Sequence, residues 1–347
     1  MKKIETAEKK GIRAILKKFQ KLFILLAAMI VLTIIAPTSF PTITNLSNVL
    51  WALSVVGIMV GGSIFVILLG GIDLSVGSMA ALSGIIMVAI IQKSGYSNVG
   101  VILGITVALA SGALVGLFHG VIVTKFKVPA FLITFATQIV LSGIAMTVTN
   151  NQIWGCLQPK LFTGIGTGKI FGFPVPIYIM LLIVLISFFI LNKTVFGRKV
   201  YAVGGNAEAS ELSGINSNRT TVMCYVVSGL TAALGGVVLS SMTQQAMSAM
   251  GKGYETDVIT AIVIGGTSLM GGEGSIQGAV FGTILVGLLN NGLNLLNVPA
   301  THHTLVKGIV VIIAVAFDTF GKSEKRISFN FRKNKTLSVP ADSTTNS

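Results

Sequence analysis

Residues 49–91 read VLWALSVVGIMVGGSIFVILLGGIDLSVGSMAALSGIIMVAII, two apolar runs (49–71 and 74–91) parted by a glycine pair and a single acid. Each run approaches the about 20 residues that cross the hydrocarbon core of a bilayer. Asp73 is the only charge in the stretch. An amphipathic helix of a soluble domain keeps a polar stripe for water, and neither run has one. Lipid requires each segment to satisfy its own backbone hydrogen bonds, so both runs are read as membrane helices. The join between them, GGIDLSVGS over 70–78, leaves almost no loop.

The same pattern extends in both directions. Eight further apolar runs, 22–36, 99–123, 128–148, 174–191, 221–239, 258–272, 276–293 and 305–320, are bounded by charged or turn-forming residues. The 347 residues are 52% hydrophobic and 10% charged with mean hydropathy +0.86, against about 25% charged in soluble domains. That leaves room for about ten spans and no large soluble domain, so the expected class is an all-α polytopic membrane protein. Runs 22–36, 258–272 and 305–320 are short and must borrow flanking residues or break inside the membrane. Run 22–36 ends in Ala36-Pro37-Thr38-Ser39 without a small-x-small cleavage site, and spans follow at once, so it reads as a retained helix and not a signal peptide.

A net charge of +14 raises nucleic acid as a partner, but the positions of the cations decide otherwise. With ten spans and an internal N-terminus, the inner segments carry eight, two, four and six Lys or Arg; the outer loops carry only Lys93, Lys160, Lys169 and Lys252, with Lys307 at the edge of the last run. Twenty against four is the positive-inside pattern, which orients the chain with both termini in the cytoplasm. The first basic segment also spaces Ile12, Ile15, Leu16 and Phe19 as a short interfacial helix would, and a solvated tail is the equal alternative.

Forty glycines, many inside apolar runs, serve first as close-packing residues between helices. At two places, glycine pairs beside polar residues also suit a helix broken at membrane depth. In the first, Gly70 and Gly71 precede Asp73 and Ser75, either of which can accept bonds from the free amides that open the next helix; direct contact of Asp73 with cargo is the alternative role. The second, GGTSLMGGEG over 265–274, begins with Gly265 and Gly266 and shares GGxxLxxG with the first. Between the sixth and seventh runs lies the polar segment 196–219. Asn206 is placed to cap a helix over 207–212 with Glu208 in its first turn and Gly214 as its stop, giving one short helix that serves as a docking surface or as an ordered linker. Thr134 and Gln138, four apart, and Asn290, Asn291 and Asn294 offer amides and hydroxyls to a sugar or to neighbouring helices. His302 and His303 have no acid or cysteine at ligand spacing, Cys156 and Cys224 form no CxxC, and there is no GxxxxGK[ST], HExxH or GxSxG. No metal site and no catalytic set are expected, so any energy for transport must come from another subunit or from an ion gradient.

GGIDLSVGS, YAVGGNAEASELSGIN, GYETDVITAIVIGGTSLMGGEGSIQGAVFGT and LLNNGLNLL, in that order, resemble the permease subunits of bacterial ABC importers for ribose and related monosaccharides, over most of 45–320. The resemblance implies the importer permease fold, with broken or re-entrant helices and a cytoplasmic coupling helix, in a bacterial cytoplasmic membrane. It implies a homodimer or paired permease, a cytoplasmic ABC ATPase that holds ATP and Mg, and an extracytoplasmic sugar-binding protein; no cofactor is bound directly and no nucleic acid is a partner. The coupling segment maps onto Gly204, Gly205, Asn206, Ala207, Glu208, Ala209, Glu211 and Gly214. The pathway runs between the helices bearing 70–78, 128–148 and 265–272. The chain divides into a basic cytoplasmic segment 1–21, a permease domain 22–320 with coupling loop 196–219, and a disordered cytoplasmic tail 321–347. The expected cargo is ribose or a related pentose; autoinducer-2, another sugar or a nucleoside is the alternative within this architecture, and an ion-coupled secondary carrier the alternative outside it.

Overall fold

The computed structural model describes residues 22–299 together with 302, 303, 305–309 and 312. The segment 1–21, most of the tenth expected span and the tail 321–347 lie outside the described residues. Helices α1 (Leu22–Ile35) and α2 (Ile43–Leu68) are followed by α3 (Val76–Lys93), α4 (Asn98–Lys125) and α5 (Ala130–Thr149). After α5 come strand β1 (Trp154–Gly155), helix α6 (Lys160–Thr167), the hairpin of β2 (Lys169–Ile170) and β3 (Phe173–Pro174), then α7 (Val175–Lys193), α8 (Val195–Gly205) and α9 (Ala207–Leu212). The chain continues through α10 (Ser217–Thr243), β4 (Gln245–Ala246), α11 (Tyr254–Ile264) and α12 (Ile276–Leu295).

Apolar composition makes these segments helical and polar side chains set where they start. Thr42, Ser97, Thr194, Asn206, Asn216 and Ser275 each stand at an N-cap and accept a bond from an otherwise free amide of the first turn. Among the described residues, α2, α3, α4, α5, α7, α10 and α12 are long and apolar enough to cross a membrane. These seven do not test the expected count of about ten, because the first run starts at the edge of the described residues and most of the tenth lies outside them. Run 258–272 takes the second course open to a short run: its helix breaks off after the eleven residues of α11, about 16 Å against a hydrocarbon core of about 30 Å. The first run gives α1, which begins at the edge of the described residues.

Helices α2, α3 and α10 form the inside of the bundle, while α4, α5 and α7 turn most of their residues outward. Those outward faces carry Phe135, Ile139, Leu182, Leu185 and Phe189, as lipid demands of side chains it must solvate. Between α4 and α10 the contact is made backbone to backbone: a Cβ at Gly112 would collide with the Gly229 carbonyl and one at Gly116 with that of Tyr225. Small residues are what permit this approach where no hydrophobic drive holds helices together. Among the described residues, strands are confined to two-residue pairs, β1 with β4 and β2 with β3, both antiparallel, and of these only the first reaches the core, through Ala246 and Trp154. Segment 196–219 holds two helices where one was expected. The missed α8 starts at the Thr194 cap and buries Gly197, Val200 and Val203 on one side, a helical spacing within a polar stretch.

Candidate functional site

At the first glycine pair the chain leaves α2 through Gly70 at φ +77°, a conformation that glycine adopts without cost. Asp73 then folds the turn around its own carboxylate. Its Oδ1 accepts from the Ser75 amide at 3.0 Å and the Ser75 hydroxyl at 2.7 Å, and its Oδ2 accepts from the Ser228 hydroxyl of α10 at 2.8 Å. Ser75 stands at the N-cap of α3, but its backbone is helical (φ −81°, ψ −9°) where a capping residue is extended, and its side chain makes no cap bond and donates to Asp73. Of the two acceptors expected here, Asp73 is the one that accepts a backbone amide, that of Ser75, and the Ser75 hydroxyl accepts none. From α5, the Thr134 hydroxyl reaches the Ile72 carbonyl at 3.1 Å, and Gln138 reaches Glu255 at the start of α11 at 3.5 Å.

The second glycine pair ends α11 beside α12, where a Cβ at Gly265 would meet the Gly278 carbonyl and Gly266 takes φ +89°. Its loop returns to the first break. The Gly272 amide donates to the Leu68 carbonyl at 2.8 Å, and a Cβ at Gly271 would lie 2.8 Å from both the Gly204 carbonyl and the Gly70 amide. Gly204, near the end of α8, completes the junction, since a Cβ there would collide with the Leu68 carbonyl and stand 2.8 Å from the Gly272 amide. Tyr201 of α8 adds a bond to the Gly274 carbonyl at 3.1 Å. Thus Gly70, Gly204 and the second loop meet backbone to backbone at one end of the bundle, with the end of α2 as their common surface. From this junction α9 projects outward: Asn206 accepts from the Ala209 amide at 2.9 Å, Gly214 turns the chain at φ +80°, and Ala207, Glu208, Glu211 and the 92% exposed Leu212 face away from the bundle.

Toward the opposite end, α2, α11 and α12 enclose a cavity of about 480 Å³. Asn48, Lys252, Tyr254, Asp257, Thr283, Asn290, Asn291, Asn294 and Lys307 supply its polar lining. Lys307 pairs with the Asp257 carboxylate at 2.8 Å, and Asn290 hydrogen-bonds the same carboxylate while its Oδ1 stays buried without a partner among the described residues. Asn291 is committed to a reciprocal amide pair with Asn45 at 2.9 and 3.2 Å, so it holds α12 to α2, whereas Asn290 and Asn294 face the cavity. Removing one partner of a buried ion pair strands the other charge, at about 3–5 kcal/mol. Lys307→Met is accordingly expected to lower the unfolding midpoint in detergent, and adding Asp257→Asn to recover most of the loss; a double variant no more stable than the single one would show that the pair is not a unit.

The expected site residues thus fall into three groups: Gly70, Gly71, Asp73, Ser75, Thr134 and Gln138 around the first break, Gly265 and Gly266 with the coupling segment near the junction, and Asn290 and Asn294 at the cavity. Glu255, Asp257 and Lys307 escaped the sequence reading. Their signal was the pair of acids in YETD directly before VITAIV, which is the first turn of α11 and not the outer loop that the run boundary suggested.

A family described as the permease component of branched-chain amino acid transport systems matches residues 45–315. The ribose import permease protein RbsC of Haemophilus influenzae is 40% identical over 309 residues, covering 88% of this chain and 94% of that protein. RbsC of Bacillus subtilis is also 40% identical over 309 residues, covering 89% and 94%. The L-arabinose transport system permease protein AraH of Escherichia coli is 33% identical over 305 residues, covering 88% and 92%. No solved structure matches the chain. Both glycine breaks, the helices α8 and α9 and the cavity lining fall inside the matched stretch, and the chain belongs to this family of transport-system permease components, a multi-pass membrane transport subunit and not an enzyme.

Proposed function

We propose that the chain is the permease of an ATP-driven importer that passes ribose or a related pentose from an external binding protein to the cytoplasm. The observation that carries this reading is the 40% identity to ribose import permeases across nearly the whole of both chains. Similarity to arabinose permeases supports a pentose more broadly. The cavity agrees with such cargo: amides and a charge pair complement hydroxyl groups, whereas an aliphatic amino acid would need an apolar pocket.

In this reading the permease works as a homodimer or pair in a bacterial cytoplasmic membrane, with both termini and the α8–α9 end inside, as the excess of inner cations supports. Helix α9 docks a cytoplasmic ATPase that holds ATP and Mg, the permease itself holding no cofactor, and the binding protein delivers sugar at the cavity end. The role of α8 follows from its position between the docking helix and the two glycine breaks: a push on α9 is carried by Gly204 to the end of α2 and to the loop after α11, displacing both breaks together. Gly70, Gly71, Asp73, Ser75, Thr134, Gln138, Gly265 and Gly266 form the moving wall of the pathway, and Asn290 and Asn294 its outer polar lining. Replacing residues 208–211 with a Gly/Ser linker is expected to abolish co-purification of the ATPase while leaving membrane insertion intact. Retained ATPase binding in that variant would refute the docking role of α9.

A further inference from the structure

Trp51 of α2 lines the cavity, and the transport reading gives it no part. Its indole Nε1 donates to the Gly166 carbonyl near the end of α6 at 2.8 Å. That bond fixes the ring and uses its one donor, so what Trp51 has left to offer the cavity is flat apolar surface. The polar lining divides in the same way between committed and open groups. Asn291 is spent on Asn45, but Asn48 and Asn294 are exposed on the same cavity and form no side-chain hydrogen bond among the described residues. Lys307 and Asp257 pair at 2.8 Å. An ammonium has three donors and a carboxylate about four acceptor sites, so each keeps capacity after pairing.

We propose that the permease itself binds its sugar in this cavity, with Trp51 as the platform for the C–H face of the ring and Asn48, Asn294 and the Asp257–Lys307 pair as partners of its hydroxyl groups. The choice of a sugar rests on the proposed function. A monosaccharide carries hydrogens on the faces of its ring and hydroxyls around the rim, so it uses both kinds of lining at once. A purely apolar cargo would strand the open amides and the ion pair, and a small ion would leave the indole idle. The cavity of about 480 Å³ falls within the about 300–1,000 Å³ of small-molecule sites. A passive conduit for sugar released by another protein needs only width and water, whereas a ring locked by the Gly166 carbonyl is preorganised, which lowers the entropy cost of binding. Helix packing does not call for Asn48 and Asn294, since the amide pair of Asn45 and Asn291 already joins α2 to α12.

The test is binding to the full chain in nanodiscs, with neither ATPase nor binding protein present. Trp51 and Trp154 are the only tryptophans, and Trp154 lies in β1, outside the cavity lining. In a Trp154→Phe protein, D-ribose is expected to change the Trp51 emission saturably, with a half-maximum at about 1–10 mM or lower, while glycerol at the same concentrations gives no saturation. Absence of saturation by D-ribose, L-arabinose and D-glucose alike would overturn the proposal, and ATP-driven ribose uptake by the complete importer would still uphold the proposed function. Saturation by D-glucose and by neither pentose would support the site and remove the pentose from the proposed function. Equilibrium dialysis against radiolabelled ribose then tests the contacts. Trp51→Leu and Trp51→Phe both lose the bond to Gly166, but only leucine lacks a flat ring, so Trp51→Leu is expected to weaken binding about fivefold or more and Trp51→Phe by about twofold or less. Equal weakening by the two would assign the effect to the lost bond and overturn the platform. Asn294→Ala removes no side-chain hydrogen bond among the described residues, so its unfolding midpoint is expected to stay at the wild-type value while its dissociation constant rises about fivefold. Unchanged ribose binding in Asn294→Ala would overturn the assignment of the amides to the hydroxyl groups.

Discussion

Gly204→Ala is expected to lower sugar uptake by about tenfold or more, an effect that needs only about 1.4 kcal/mol at the rate-limiting step, while Gly205→Ala stays near wild type. The two glycines are neighbours in α8 and in the coupling motif, yet their surroundings are opposite. A Cβ at Gly204 runs into the Leu68 carbonyl and crowds the Gly272 amide, both backbone groups that cannot turn aside. At Gly205 a Cβ meets nothing within 4 Å, and alanine suits a helix better than glycine. The methyl at 204 must therefore push α8 off the ends of α2 and of the loop after α11. Membrane insertion and ATPase co-purification are expected to persist in Gly204→Ala, because α9 is untouched. Equal activity of the two variants in vesicle uptake would mean that the junction transmits nothing.

Asp73→Ala is expected to cost about 1–3 kcal/mol for each donor it orphans, and the carboxylate holds the Ser75 amide, the Ser75 hydroxyl and the Ser228 hydroxyl. The turn between α2 and α3 should loosen, with a fall of several degrees or more in the unfolding midpoint and near-complete loss of uptake. Asp73→Asn separates geometry from charge. Its amide oxygen still accepts from Ser75, and the Ser228 hydroxyl can rotate to accept from the new NH2 group. Uptake by Asp73→Asn within about twofold of wild type is the expected result. Loss of uptake in a folded Asp73→Asn protein would instead assign the negative charge itself a part in transport.

Much of this was legible in the chain because the bilayer imposes length and polarity on every crossing segment. Run 276–293 became α12 (Ile276–Leu295), and the Asn206 cap with Gly214 fixed α9 to the residue. The second break was visible as a glycine pair, but not that its helix stops after eleven residues, since apolar composition continues through Leu269 and Met270 whatever the backbone does. The junction was hidden for a different reason. Nothing local distinguishes Gly204 from Gly205, because the difference lies in which of them the end of α2 approaches. The burial of Asp257 and half-burial of Glu255 were equally tertiary: two acids in a first turn read as solvent-facing until Lys307, fifty residues on, is brought beside Asp257. Ser75 shows the weight of local backbone: its φ and ψ are helical and not extended, so its hydroxyl makes no cap bond and donates to Asp73 two residues away.

The central claim, a permease that moves a pentose only when an ATPase drives it, is tested most directly by uptake of radiolabelled ribose into proteoliposomes holding the chain with its ATPase and binding protein. Accumulation is predicted to require ATP inside, the binding protein outside and an intact residue 208–211 segment, and to survive collapse of all ion gradients. Ribose accumulation by the chain alone, driven by a proton or sodium gradient, would contradict the account.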